Sequence, residues 1–193
     1  MRVVTYGFGM RSPIWRVGAA LAVLVAALAV GGCVEDDPDT TPSPDPTSTP
    51  LFESDEEALT AAEEAYARYQ AVSDAILMDG GADPERLLEV ATEEQYRYEK
   101  NGFDRAASSK HHSTGGSKFR SMRIQSISEN QVDVYFCEDV SLVDILDEAG
   151  VSVVSATRPD VFPRTASFVS SSGGVALIVS AIDEWSGEDF CSQ

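Results

Sequence analysis

The spacing of apolar residues changes half-way along this chain, from a helical period to a strand period. From Leu59 to Ile76, apolar residues recur every three or four positions, which is typical of one face of an amphipathic helix. From Lys118 onward, apolar and polar residues largely alternate, which is typical of half-buried strands. Because helices come first and antiparallel strands afterwards, the sequence predicts a single α+β domain over residues 52–193.

Start signals divide the helical half into three predicted helices. Ser54 followed by Glu57 is a capping box that begins the first helix. Pro84 begins a second, short helix because proline fits the first helical turn, and Thr92 caps a third. The sequence thus predicts three N-terminal helices packed on a curved, meandering antiparallel sheet. Strand patterns run over residues 118–127, 132–136, 162–169 and 175–182, with a mixed pattern over 140–146.

Residues 1–32 have the pattern of a secretory signal peptide. Arg2, Arg11 and Arg16 precede an apolar run from Val17 to Val30. This run has fourteen residues, or about 21 Å as a helix, against a hydrocarbon core of roughly 30 Å. A basic head, a short apolar stretch and small residues before a cleavage site are typical of export signals rather than of membrane spans.

The segment Val30-Gly31-Gly32-Cys33 resembles the bacterial lipobox. The resemblance implies cleavage before Cys33 and attachment of diacylglycerol and a fatty acid such as palmitate to that residue. Two or three acyl chains are enough for stable anchoring. We therefore expect a lipoprotein held on the outer face of the cell membrane by the lipid on Cys33. An ordinary secreted protein is the alternative.

Residues 33–51 join the lipidated cysteine to the domain. The stretch Asp36 to Pro50 holds five of the nine prolines, with Thr, Ser and Asp in most other positions. Such a composition cannot bury a core, so we expect a disordered, extended linker. Fifteen residues at about 3.1 Å each would place the domain roughly 45 Å from the membrane.

The charge of the chain excludes one class of partner. There are fourteen Lys and Arg against thirty-two Asp and Glu, and three of the arginines lie in the signal peptide. The mature chain therefore has eleven basic and thirty-two acidic residues, a formal charge of −21 with neutral histidines. A strongly acidic surface repels nucleic acid and anionic lipid headgroups. We expect no nucleic-acid partner.

Two cysteines are left once Cys33 is lipidated. Cys137 and Cys191 form an even pair in an oxidising compartment, which predicts a disulfide between a strand and the C-terminal segment. Two separate buried thiols are the alternative.

The order of elements, together with the segment Val134-Tyr135-Phe136-Cys137-Glu138-Asp139-Val140-Ser141, resembles actinobacterial envelope lipoproteins with a nuclear-transport-factor-2-like (SnoaL-like) domain. The resemblance covers roughly residues 55–191 and includes the second cysteine, Cys191. It departs at Val175, where those proteins usually have Trp. It implies a cone-shaped fold with a cavity at its wide end. Catalytic members use Asp, Tyr or His there, whereas most lipoprotein members have no assigned reaction.

Tyrosines are the strongest candidates for a binding pocket. Tyr66 and Tyr69 share the apolar stripe of the first helix, and Tyr96 lies on a helix that should pack nearby. Tyrosine combines a large apolar body with a hydroxyl that can hold a polar group, although packing in the core or at its rim is the alternative. We expect the pocket residues to be Tyr66, Tyr69, Tyr96, Phe119, Tyr135 and Phe168.

Other titratable residues give no recognisable site. His111-His112 lies in a Ser- and Gly-rich stretch that is typical of a solvated loop. No phosphate loop, nucleophile elbow or zinc motif is present in the sequence, so we expect no catalytic residue, no metal site and no cofactor. We expect five acidic residues to form a solvated acidic face: Glu138, Asp139, Asp144, Asp147 and Glu148.

The sequence favours a non-catalytic binding or accessory module for a small apolar ligand or an envelope protein partner. The alternatives are a small cofactor-independent isomerase or cyclase and a purely structural interaction protein. An enzyme should contain a cavity carboxylate with a raised pKa. An exposed apolar patch on the sheet would favour the structural protein.

Overall fold

The structure, a computed structural model, describes residues 51–174 and 176–192. The expected signal peptide (1–32), Cys33 and nearly all of the linker therefore lie outside the described residues. No helix among the described residues has the length and apolar character needed to cross a membrane. The elements are α1 (Asp55–Met78), a 3-10 helix (Pro84–Glu89), α2 (Glu93–Ser109), β1 (His112–Thr114), β2 (Lys118–Ile127), β3 (Gln131–Asp139), β4 (Asp144–Leu146), β5 (Val161–Ser170) and β6 (Leu177–Glu184).

Side-chain caps begin both α-helices where the sequence predicts them. The Ser54 hydroxyl accepts a hydrogen bond from the Glu57 backbone N–H at 3.2 Å, and Thr92 caps α2 in the same way. The second of the three predicted helices differs from the prediction, because it is a six-residue 3-10 helix and not an α-helix. Asp83 precedes this element in the left-handed region (φ 50°). After Glu89, only two residues separate the element from the Thr92 cap of α2. Such short connections favour 3-10 geometry.

Four antiparallel strands form the main sheet in the order β2-β3-β5-β6. Val134 of β3 lies between Ile124 of β2 and Ala166 of β5, at the centre of this sheet. The architecture is thus α+β, as the change of period predicts. A second, two-stranded sheet pairs β1 with β4, with His112 opposite Leu146. The sequence did not predict β1, since it is only three residues long and has no apolar alternation.

Helix α1 packs on the main sheet through small residues and one tyrosine. Ala58, Ala62 and Ala65 are buried, so the helix backbone approaches the strands closely. Tyr66 is buried beside them, with its ring edge-on to Phe119 at 5.1 Å between centroids. Burial of these apolar groups is the main stabilising term of the domain, at about 25 cal/mol per Å².

The opposite face of the sheet holds the C-terminal segment. A disulfide joins Cys137 on β3 to Cys191, as the even pair of cysteines predicts. The ring of Tyr135, two residues before Cys137, packs against Trp185 and Phe190. Residues two apart on a strand share a face, so the disulfide and the aromatic cluster lie on the side away from α1.

We expect the double variant Cys137→Ser/Cys191→Ser to unfold more easily than the wild type. The disulfide has a sequence separation of 54 residues, and closure of such a loop in the unfolded chain is worth about 4 kcal/mol as an upper value. Guanidinium unfolding measures the loss, and reduction of the wild type should reproduce it. Equal stability of the variant and the oxidised wild type would contradict this role.

Candidate functional site

A cavity of about 200 Å³ lies between the two α-helices and the inner face of the sheet. Its walls combine tyrosines, carboxyl and amide groups and aliphatic side chains. It is partly open to solvent, and the loop after β3 contributes Val140 and Val143 to its lining. The residues that line it are Tyr66, Tyr69, Gln70, Ser73, Asp74, Leu77, Glu99, Ser117, Glu138, Val140, Val143, Arg164 and Ile182.

An ion pair between two strands forms one wall of the cavity. Arg164 on β5 donates through Nε to Oε2 of Glu138 on β3 at 2.9 Å, and the two side chains are 27% and 14% exposed. The Tyr66 hydroxyl lies 3.3 Å from Oε1 of the same carboxylate, to which it donates. Burial and then the Glu138 charge raise the pKa of Tyr66 well above its usual value. Tyr66 therefore keeps its proton and acts as a donor.

A carboxyl group on α2, that of Glu99, also lines the cavity. Nε2 of Gln95 donates to Oε1 of Glu99 at 2.9 Å and lies 3.3 Å from the Tyr69 hydroxyl, which accepts from it. Burial raises the pKa of Glu99, and the hydrogen bond from Tyr69 and the charge of Arg164 oppose that rise only in part. Burial, reinforced by Glu99, also raises the pKa of Tyr69. Glu99 is therefore a cavity carboxyl that resists ionisation.

Gln70 is the polar side chain of the cavity that its neighbours leave unsatisfied. It is only 9% exposed, and its Nε2 makes no hydrogen bond to any residue that the structure describes. Asp74, one turn further along α1, is by contrast well partnered, since it accepts from the backbone N–H and the hydroxyl of Ser117 at 3.0 Å. A buried amide without a partner costs about 1–3 kcal/mol. This nitrogen has almost no accessible surface, so it lies against packed side chains and does not face the open space of the cavity.

The structure brings together two of the six residues expected to form the pocket. Tyr66 and Tyr69 line the cavity, with ring centroids 6.0 Å apart. Phe119 packs behind Tyr66, and Phe168 is fully buried in the core. The remaining two lie elsewhere: Tyr96 bonds Glu85 through its hydroxyl, and Tyr135 packs on the opposite face of the sheet.

Sequence reasoning missed Gln70, Glu99, Glu138 and Arg164. The prediction that Glu138 belongs to a solvated acidic face is wrong, because its side chain is largely buried against Arg164. Strand alternation contains the missing signal, since Glu138 has the same parity as the buried Val134 and Phe136. Arg164 lies opposite Phe136 in the register, which no pattern in the sequence reveals.

The two histidines line a second, more apolar cavity of about 380 Å³. His111 and His112 are half-buried there, which corrects the expectation of a fully solvated loop, and His112 begins β1. Leu77 and Val143 line this cavity and the first one, so the two adjoin. Within the described residues, no group of three or more His, Cys, Asp or Glu side chains is placed to hold a metal ion.

Comparisons with known proteins assign the chain to no family. No protein-family model matches it, and no curated protein matches its sequence. Among solved structures, the intermembrane-space region of the chloroplast protein ARC6 is 11% identical, with 65% of this chain and 94% of that one covered and a TM-score of 0.47. Aln2 from a Streptomyces species is 16% identical, with 66% of this chain and 90% of that one covered and a TM-score of 0.42. A Catenulispora acidiphila protein in complex with S-DNPA is 13% identical, with 64% of this chain and 92% of that one covered and a TM-score of 0.43.

We expect Glu99→Gln to stabilise the domain at neutral pH. Because the folded-state pKa of Glu99 is raised, the folded protein holds its proton to higher pH than the unfolded chain does. Stability is therefore lost as pH rises from about 4 through the folded-state pKa. The glutamine variant lacks this loss, and thermal unfolding should show a melting temperature a few degrees higher at pH 7.

The matched control for this prediction is Glu63→Gln, at an exposed position in the middle of α1. It removes the same charge from the surface and away from the helix ends, so the melting temperature at pH 7 should change little. If Glu99→Gln behaves like this control, or melts lower at pH 7, the carboxylate of Glu99 is not destabilising and its description above is incorrect.

Proposed function

We propose that this chain is an extracytoplasmic lipoprotein, anchored through Cys33. Its domain is a non-catalytic module that binds a small ligand in the cavity lined by Tyr66 and Glu99. The lipobox resemblance and the signal-peptide pattern support the anchor. We further propose that the domain is nuclear-transport-factor-2-like (SnoaL-like). The order of N-terminal helices, followed by a four-stranded antiparallel sheet packed against them, supports that assignment.

The Glu99 carboxyl, desolvated in the wall of the cavity, is the observation that carries the binding proposal. Titratable groups that burial perturbs in a cleft are typical of functional sites, and pockets orient their ligands with a few polar groups. A purely apolar ligand, as the sequence favours, would leave the Glu99 carboxyl desolvated without offering it a partner. The ligand we propose therefore has a polar group as well as an apolar one.

The size of the cavity limits the ligand. Its volume of about 200 Å³ is below the roughly 300–1,000 Å³ of sites for drug-sized molecules. The adjoining cavity of about 380 Å³ is mainly apolar and begins at Leu77 and Val143. A small polar head in the first cavity with a short apolar group directed toward the second is the arrangement that these volumes favour.

Native mass spectrometry of the mature lipoprotein, exported by its natural host and extracted in detergent, tests this proposal. We expect a mass excess that disappears on denaturation. The variant Ser73→Phe, which fills the cavity from α1, should lose the excess, whereas Ala71→Phe on the exposed side of the same helix should keep it. An excess that survives Ser73→Phe would place the ligand elsewhere, and no excess would favour a protein partner.

Glu99 favours a second candidate function, a cofactor-independent isomerase or cyclase. A carboxyl with a raised pKa, hydrogen-bonded within a cavity that also holds tyrosine hydroxyls, has the properties of a general acid or base. If mass spectrometry finds a bound carbonyl compound, such an enzyme would exchange the hydrogens next to the carbonyl carbon of that compound for deuterium from deuterated water. Exchange by the wild type and not by Glu99→Gln would favour the enzyme over the binding module.

An exposed apolar patch favours the third candidate, a protein-interaction module. Leu142 and Val151 are 62% and 59% exposed on the segment around β4, with Ile145 and Val153 beside them. The backbone N–H of Val153 bonds the carbonyl of Ile145, so these side chains belong to one structured segment. Crosslinking in the intact envelope, with Val151→Lys as the disrupting variant, would identify such a partner.

The anchor is tested separately from the cavity. We expect Cys33→Ala to abolish labelling by radioactive palmitate and to leave the protein uncut or in the soluble fraction, because the thiol accepts the lipid. Ser43→Ala in the linker is the matched control and should label normally. Normal labelling of the Cys33 variant would contradict the lipoprotein proposal without affecting the cavity.

A further inference from the structure

The second cavity, of about 380 Å³, has basic groups and no acidic ones in its described wall. Arg105, His111 and His112 line it, and no Asp or Glu is among the lining residues that the structure describes. The first cavity is lined by three carboxyl groups. In a mature chain with thirty-two acidic and eleven basic residues, a wall without carboxyl groups departs from the composition of the whole. The second cavity therefore favours an anion.

Arg105 supplies a permanent positive charge to this wall. Among the residues that the structure describes, it makes no ion pair. Its neighbour Asp104 pairs with Lys100 at 2.6 Å, and Glu148 pairs with Lys110 at 2.8 Å, so these two carboxylates are engaged elsewhere. The guanidinium of Arg105 is therefore a charged donor at the cavity whose partner a ligand can supply.

Gly102 leaves open space beside this guanidinium. It lies within α2, where glycine lowers helix stability relative to alanine. Among the described residues outside the helix backbone, a Cβ at Gly102 would meet only Nη2 of Arg105, at 3.7 Å, which is an ordinary contact. Packing therefore does not require a glycine here. The missing side chain widens the cavity next to its charged group.

The remaining wall is mainly aliphatic. Leu77, Ala106, Val143 and Ile145 come from the two α-helices, the loop after β3 and strand β4. A volume of about 380 Å³ lies within the roughly 300–1,000 Å³ of small-molecule sites, which are typically apolar with a few polar groups that orient the ligand. The cavity thus combines a charged end with an apolar body.

We infer that the second cavity binds a small carboxylic acid with a short aliphatic chain, whose carboxylate pairs with Arg105 and whose chain contacts Leu77, Val143 and Ile145. This site is separate from the first cavity and goes beyond the ligand proposed there. The planar guanidinium matches a carboxylate in geometry and can donate two parallel hydrogen bonds to it. The imidazoles of His111 and His112, which line the same cavity, offer further N–H donors.

Other ligand classes lack one part of this match. An amine would meet the charge of Arg105 with no carboxylate in the described wall to offset it. A neutral alcohol of the same length keeps the apolar contacts and loses the charge-assisted hydrogen bonds. The acidic surface of the protein opposes an anion only weakly at physiological ionic strength, because charges beyond about 8 Å are largely screened. The local pairing with Arg105 therefore decides the selectivity.

The imidazole NMR signals of the protein report occupancy of this cavity without background, because the chain has two histidines and both line it. The mature lipoprotein, purified with a histidine-free tag and labelled with ¹³C-histidine, is titrated at fixed pH 7 with hexanoate, 1-hexanol, hexylamine and acetate. We expect hexanoate to bind tightest and hexanol more weakly, with no shift from hexylamine or acetate at the same concentrations. Hexanol or hexylamine as the tightest probe would overturn the inference, as would acetate equal to hexanoate or no shift with any probe.

Two arginine variants of α2 assign the charge that selects the acid. Arg105→Gln should weaken hexanoate binding roughly tenfold or more, the effect of losing one charge-assisted interaction, and leave hexanol unchanged. Arg97→Gln removes the same charge from an exposed position on the same helix and should bind all probes as the wild type does. Equal weakening of hexanoate in both variants would mean that net charge and not pairing is responsible, which contradicts the inference.

Two further variants locate the binding. Gly102→Leu should weaken hexanoate and hexanol alike, because the new side chain takes the space beside Arg105, while circular dichroism shows an intact fold since leucine favours helix. Ser73→Phe fills the first cavity and should leave hexanoate binding unchanged. Hexanoate binding that survives Gly102→Leu, or that is lost in Ser73→Phe, would overturn the second cavity as a separate site. A native ligand lost in Ser73→Phe would still support the first cavity in either case.

Discussion

The contact between Tyr66 and the sheet is the interaction on which the rest of this domain depends. Its ring packs against Phe119 and lies 4.5 Å from the Phe136 ring, so it fixes α1 on the strands. Its hydroxyl bonds the Glu138 carboxylate, which in turn holds Arg164. One side chain therefore connects the aromatic core to the polar wall of the cavity. The register of β3 and β5 brings Glu138 and Arg164 together, and the Tyr66 hydroxyl joins α1 to that pair.

Two polar groups beside the cavity cost stability, for identifiable reasons. Gln70 is buried without a partner for its Nε2, and burial disfavours the ionised form of Glu99. Apolar residues of similar size at these two positions would pack without either penalty. Functional sites are where folded proteins retain such unfavourable groups. The desolvated carboxyl of Glu99 is therefore a feature that the proposed binding of a ligand explains and that stability does not.

Local signals in the sequence were sufficient for the two α-helices and the four strands of the main sheet, but not for the cavity. Ser54 and Thr92 gave the correct helix starts because capping depends on neighbours in sequence. The side chains of the cavity come from α1, α2, β3, β5, β6 and two loops, and their meeting depends on strand register and helix packing. Periodicity identified Tyr66 and Tyr69, but it could not show that Glu138 is paired across strands with Arg164.

The central claim is that the cavity holds a carboxyl group, that of Glu99, whose pKa is raised because burial outweighs the hydrogen bond from Tyr69 and the charge of Arg164. Carbon-detected NMR of side-chain carboxyl groups, followed through a pH titration of the ligand-free protein, measures this property directly at Glu99. The account predicts a titration midpoint for Glu99 above the usual glutamate value of about 4.3. A midpoint at or below that value would contradict it.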